Sequence, residues 1–124
     1  CPACRQPDEA MTPDALAAAM PGLPAARLVQ GAERDGERHF RPMRAAGCQA
    51  CRMTGYRGRS GLFELLTFDE GVRHAISERP DLARLRRESL RQGLTPLRLA
   101  GLHKVAQGLT TLDEVLRSTP DYST

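Results

Sequence analysis

The sequence predicts an α+β chain: a small cysteine-framed subdomain with a β-hairpin, then a short strand and a small helical C-terminal bundle. Three observations predict it. Two C-x2-C pairs, Cys1/Cys4 and Cys48/Cys51, bracket the first 51 residues. Asp35-Gly36, a two-residue hairpin signal, lies between them. From Asp69 onward, apolar residues recur at helical spacing between capping and stop signals.

The elements follow in order. Thr12-Pro13-Asp14 opens a helix with a hydroxyl N-cap, a proline at the first helical position and an acid near the positive end of the dipole. The Ala-rich run after it favours helix, and Pro21-Gly22 ends it. A turn at Asp35-Gly36 sets Arg34 opposite Glu37 and Glu33 opposite Arg38, so both cross-strand pairs carry opposite charge. Glycines 55, 58 and 61 mark a tightly turning loop, and Leu62 to Leu66 reads as a short strand. Asp69 caps a helix to about Ser77. Pro80-Asp81 opens another, with Leu82, Leu85 and Leu90 spaced for one face and Gly93 as its stop. Thr95-Pro96 opens a third helix ending near Gly108, and Thr111 with Glu114 forms a capping box for a last one. These elements divide the chain into residues 1–67, with the cysteines, the Gly-rich loop and the strand, and residues 68–124, the helical part.

Composition bounds the function without naming it. The chain has 124 residues, 40% apolar and 27% charged, which suits a globular protein rather than a disordered one. Phe40, Tyr56, Phe63, Phe68 and Tyr122 are its only aromatics, so the core is aliphatic. The net charge of +3 is too small to mark a strong nucleic-acid binder. No stretch approaches the ~20 apolar residues of a membrane span. A chain that opens on Cys1-Pro-Ala-Cys4 reads as a piece of a longer protein.

The cysteines carry the most specific signal. A C-x2-C turn aims two thiolates at one point, and two such turns complete a tetrahedral S4 site with Zn–S near ~2.3 Å. The first 51 residues hold little apolar material, and a segment that small generally needs a staple. Structural zinc on Cys1, Cys4, Cys48 and Cys51 is therefore preferred over two disulfides or four free thiols. A redox role for Cys1-Pro-Ala-Cys4 needs a following helix, and Arg5-Gln6-Pro7-Asp8 opens one poorly. His39, His74 and His103 are not required as ligands. Four thiolates leave no open metal position for a bound water, so the expected metal is structural and no residue is assigned a catalytic or nucleotide-binding role.

Beyond Cys48 the sequence resembles a known family. Gly47-Cys48-Gln49-Ala50-Cys51, followed by Thr54-Gly55-Tyr56-Arg57-Gly58-Arg59-Ser60-Gly61 and Leu62-Phe63-Glu64-Leu65-Leu66, is similar to the tetracysteine segment of the type II secretion and type IV pilus-assembly ATPases. A second match joins Gly101-Leu102-His103-Lys104-Val105, Gly108, Thr110-Thr111 and Glu114-Val115. Residues 21–46 match no motif of the family, and Leu99-Ala100 stands where relatives carry an acidic or polar residue. The resemblance implies a parent that is a hexameric cytoplasmic motor, peripheral to the inner membrane and working on a membrane platform protein. ATP and Mg would belong to an upstream domain, because this chain has no G-x-x-x-x-G-K-[ST] loop to cradle phosphates.

Arg57 and Arg59 flank Gly58 near the expected metal. They are candidate contacts to a subunit or partner, with an internal ion pair to Glu64 or Asp69 as the alternative. The run Arg84, Arg86, Arg87, Arg91 and Arg98 is expected to be a solvated helix face. The competing function is a free-standing zinc ribbon that binds nucleic acid. It calls for aromatics interleaved with basic residues, and only Phe40 and Tyr56 qualify. With their own caps and apolar spacing, the helices from Asp69 are expected to tolerate metal loss better than residues 1–51.

Overall fold

The computed structural model describes residues 1–31, 33–34, 37–38, 40–77 and 81–121. In chain order the elements are β1 (Gln6–Pro7), α1 (Pro13–Ala17), α2 (Ala25–Gly31), β2 (Glu33–Arg34), β3 (Glu37–Arg38) and β4 (Met43–Arg44). A 3-10 turn (Gln49–Cys51), α3 (Glu70–Ser77), α4 (Leu82–Arg91), α5 (Leu97–Ala106) and α6 (Leu112–Ser118) follow. The class is α+β, as the sequence predicts.

Local chemistry explains most of the helix starts. Thr12 caps α1, its hydroxyl accepting from the Ala15 amide at 3.1 Å, with Pro13 at the first position. Asp69 accepts from Val72 N at 2.9 Å at the start of α3, and Asp81 from Ala83 N at 3.0 Å at the start of α4. Thr111 accepts from Glu114 N at 3.4 Å. The reciprocal half of that capping box is absent from the described hydrogen bonds, because the Glu114 carboxylate is engaged by Arg117 and Ser118. The hairpin register sets Glu33 opposite Arg38 and Arg34 opposite Glu37, as expected, while the turn at Asp35-Gly36 lies outside the described residues. Two features go beyond what the sequence predicts. One is α2. The other is the antiparallel pairing of β1 with β4, Gln6 with Arg44 and Pro7 with Met43, which joins the segments carrying the two cysteine pairs.

The chain forms two compact units, Cys1–Leu62 with Leu97–Thr124, and Phe63–Pro96. The first has a core of Leu16, Leu28, Leu99, Leu102, Val105, Ala106 and Val115, built where α1, α2, α5 and α6 meet. Full burial of each such Leu or Val is worth about 1.5–3 kcal/mol. Gly101 lies on α5 where a methyl group would sit only 2.6 Å from the Val115 side chain, so its small size sets the α5–α6 approach. This division differs from a boundary at residue 67, since α5 and α6 fall in the unit that holds the cysteines. Apolar spacing marks α5 as a helix to be buried, but it does not name the surface that buries it.

The second unit pairs α3 with α4 around Val72 and Ala75. Two expectations change here. Leu62–Leu66 has no strand pairing among the described residues, and Phe63 and Leu65 are 80% and 81% exposed. The stretch has strand composition without a partner ladder. In α4, Leu82 and Leu90 are exposed, and Ser89 is the buried residue, its hydroxyl donating to Leu85 O at 2.7 Å. No helix among the described residues is long and apolar enough to cross a membrane.

Candidate metal centre

The first pair of cysteines lies on a turn in which Cys4 N and Arg5 N both donate to Cys1 O, at 3.3 and 3.0 Å. The second pair spans the 3-10 turn, where Met53 N donates to Cys48 O at 2.8 Å. Arg52 and Met53 follow with φ of 54° and 64°, two consecutive left-handed residues that reverse the chain without glycine. The β1–β4 pairing then sets the two turns beside each other.

The four sulfurs converge. Cys1 and Cys48 Sγ are 4.0 Å apart, Cys4 and Cys51 3.9 Å, Cys48 and Cys51 3.8 Å, and all four lie within 4.8 Å of one another. A tetrahedron with metal–sulfur bonds of ~2.3 Å has S···S edges of ~3.8 Å, whereas a disulfide needs ~2.05 Å. The distances therefore fit a shared metal ion and not a covalent bridge. The cysteines are positioned to hold a metal.

Backbone amides complete the site. Gly47 N donates to Cys4 Sγ, and Cys48 N and Gly55 N donate to Cys51 Sγ, each at 3.2 Å. Gly55 has φ of 80°, and a methyl group on it would lie 2.7 Å from the Ala45 Cβ. Its carbonyl accepts from the Cys1 nitrogen at 2.6 Å, so the loop after the second pair touches the first pair directly. For Cys51, burial opposes ionisation most strongly, yet the amides of Cys48 and Gly55 and the neighbouring thiols outweigh it and hold the thiol at about 6. The Cys51 backbone hydrogen bond favours the Cys48 thiolate. Burial, with thiol hydrogen bonds to Cys4 and Cys51, nonetheless leaves the Cys48 thiol above its ordinary range. A bound cation would supply the charge that favours the thiolates.

Arg57 and Arg59 are exposed on the loop that follows, and neither has an ion-pair partner among the described residues. His74 and His103 lie on α3 and α5 in no metal cluster among the described residues, and His39 lies outside them. Two polar pairs that the sequence does not announce connect the loop to the C-terminal helices. The Tyr56 hydroxyl meets Thr111 Oγ1 at 2.5 Å, and Lys104 Nζ donates to Ser60 Oγ. All four residues lie inside the two motif segments, and spacing along the chain carries no sign that the segments touch.

A family model described as "Type II/IV secretion system protein" matches residues 1–117. The type IV pilus assembly ATPase TfpB of Acinetobacter baylyi is 43% identical over 74 residues, which cover 60% of this chain and 13% of that protein. The type IV pilus assembly ATPase PilB of Myxococcus xanthus is 34% identical over 122 residues, or 98% of this chain and 20% of that protein. The type II secretion system protein E of Aeromonas hydrophila is 38% identical over 120 residues, or 96% of this chain and 21% of that protein. The chain thus spans 13–21% of the length of these relatives.

Proposed function

The chain belongs to the type II/IV secretion system protein family, and on that premise we propose that it is the zinc-binding accessory region of an ATPase that powers type II secretion or type IV pilus assembly. One observation carries the reading: four cysteine sulfurs gathered within 4.8 Å in a chain matched by the family model from residue 1 to residue 117. Zinc is the preferred metal because a tetrahedral all-thiolate set suits it and it does no redox chemistry. Its task here is structural. It fixes the loop that reaches Thr111 and Lys104, and so joins the cysteine turns to the C-terminal helices.

ATP and Mg belong, in this reading, to another part of a hexameric cytoplasmic motor at the inner membrane. Arg57 and Arg59 are offered as contacts to neighbouring subunits or to the membrane platform protein. A nucleic-acid role draws no support from the site. Phe40 packs against the core, and Tyr56 is held at its hydroxyl by Thr111, so the two aromatics form no series of stacking platforms.

Metal analysis with thiol counting tests the reading. One zinc per purified chain is expected, lost in Cys48→Ser. A folded, metal-free chain whose four thiols titrate freely would falsify it. Calorimetric titration with ATP should show no micromolar binding by these 124 residues, since they contain no phosphate-cradling loop.

A further inference from the structure

Between Phe40 and Phe63 the chain carries five arginines, Arg41, Arg44, Arg52, Arg57 and Arg59, and no Asp or Glu. All five are exposed, and none has a carboxylate partner among the described residues. Arg44 donates to the neutral Gln6 Oε1 at 2.7 Å. Asp8 and Glu9, brought near this segment by the β1–β4 pairing, form no ion pair among the described residues, and Glu64 is the first acid after the segment along the chain. Elsewhere Arg91 pairs with Glu88 at 2.5 Å, Arg98 with Asp121 at 3.1 Å and Arg117 with Glu114, while Arg5, Arg27, Arg73 and Arg87 have no carboxylate partner among the described residues and lie scattered along the chain. The uncompensated charge is densest on the segment that wraps the cysteine cluster, with five arginines and no acid between Phe40 and Phe63.

From this segregation we infer that the arginine-rich surface around the metal centre is a docking surface for a carboxylate-rich protein segment. Guanidinium forks pair with carboxylates in a fixed two-bond geometry, and like charges gathered without acids repel until a partner of opposite sign arrives. Met53 adds an apolar contact. It is 71% exposed, held in a left-handed conformation beside Arg52, and Met adapts readily to a partner surface. A lipid surface fits less well, because the segment has no amphipathic helix to lie in the interface. A nucleic acid fits less well because the segment itself carries one aromatic, Tyr56, rather than a series of rings interleaved with the arginines. The inference deepens the contact role proposed for Arg57 and Arg59, and it rests on that reading.

The test uses the metal-loaded 124-residue chain and fluorescence anisotropy with a labelled peptide rich in Glu and Ala. Phosphatidylglycerol–phosphatidylethanolamine vesicles and a single-stranded DNA oligonucleotide form the other arms. Saturable, salt-sensitive peptide binding is expected. It should weaken at least ~10-fold in Arg52→Glu/Arg57→Glu/Arg59→Glu and less than ~2-fold in Arg73→Glu/Arg87→Glu. Arg57→Gln/Arg59→Gln, which adds no new charge, should give an intermediate loss and covers any misfolding of the triple variant. Absence of peptide binding, equal losses in the two charge-reversed variants, or tighter binding to vesicles or DNA would each overturn the inference. Metal content measured on every sample separates this outcome from failure of the zinc assignment, which would show as a chain without metal whatever it binds.

Discussion

Gly55 meets three demands at once. Its φ of 80° lies in the left-handed region that favours glycine, its Cα has no room for a methyl group beside Ala45, and its amide serves Cys51 while its carbonyl serves Cys1. Gly55→Ala should cost about 1–3 kcal/mol in thermal or denaturant unfolding and speed metal loss to a chelator. Gly58 has a similar φ of 76°, but a methyl group there would meet nothing within 4 Å, so Gly58→Ala carries backbone strain alone and should leave metal release unchanged. Equal chelation rates in the two variants would remove the steric role assigned to Gly55. A second residue-scale prediction concerns His103. Burial, and secondarily the charge of Arg27, lower its pKa against the opposing effect of a hydrogen bond to the Arg27 backbone, and its Nε2 has no partner. A base that resists protonation when folded is protonated more readily in the unfolded chain. Stability is thus fully present above the ordinary histidine value near 6.5 and is lost as pH falls through it toward the depressed folded value. Denaturant melts at about pH 7.5 and pH 5.5 should show a smaller acid loss in His103→Leu than in the parent. An identical loss in both chains would show that His103 does not contribute.

At the scale of elements, the contact between the knuckle loop and the start of α6 is held by side chains that also do local work. Thr111 caps α6 and receives Tyr56, so Thr111→Val removes two interactions and Tyr56→Phe only one. Tyr56→Phe should cost about 0.5–1 kcal/mol, and a double-mutant cycle with Thr111→Val should show coupling of the same order. Additive effects would mean that the hydroxyl pair contributes nothing beyond the cap. Elements with their own local chemistry are legible in the sequence. Thr12-Pro13, Asp69, Asp81 and Thr111 announce helix starts, opposite charges fit the hairpin register, and C-x2-C spacing announces a shared ligand site. What escapes depends on partners. Leu62–Leu66 has the composition of a strand and no pairing among the described residues, while Leu82 and Leu90 keep their helical spacing but face solvent. The β1–β4 bridge is two residues long, one of them proline, which is too short for alternation to register. Four thiols can be grouped from the sequence, but the left-handed Arg52-Met53 turn that follows them has no glycine or asparagine to betray it.

For the whole molecule, the question is how far the influence of a metal held by the four cysteines would reach. Sequence periodicity suggests that the helices from Asp69 tolerate metal loss better than residues 1–51, yet the fold ties the end of α5 and the start of α6 to the cysteine-framed segment. Arg41 N donates to Ala106 O at 2.7 Å, Arg5 donates to Gly108 O at 2.9 Å, Tyr56 meets Thr111, and Lys104 meets Ser60. Each of these contacts begins on a segment whose position depends on the converging sulfurs. The first two turns of α5 are held differently, by Leu99 and Leu102 packed with Leu16 and Leu28, and need no metal to stay buried. Removing the metal with a chelator under reducing conditions should therefore open the protein unevenly. Amide hydrogen exchange should quicken in residues 1–7 and 41–56, where the ligands lie, and also in residues 104–114, far along the chain from any cysteine. Residues 97–103 and the α3–α4 pair should stay protected, because their hydrogen bonds and burial do not pass through the site. The coupling is energetic as well as geometric, since thiolate–metal binding energy that exists only in the folded arrangement is folding energy for whatever that arrangement holds in place. Chelation that leaves 104–114 as protected as before would show that the polar ties are surface ornament and that the helices stand on the aliphatic core alone. Quickened exchange throughout α5 would err in the other direction, making the metal a requirement for the core itself.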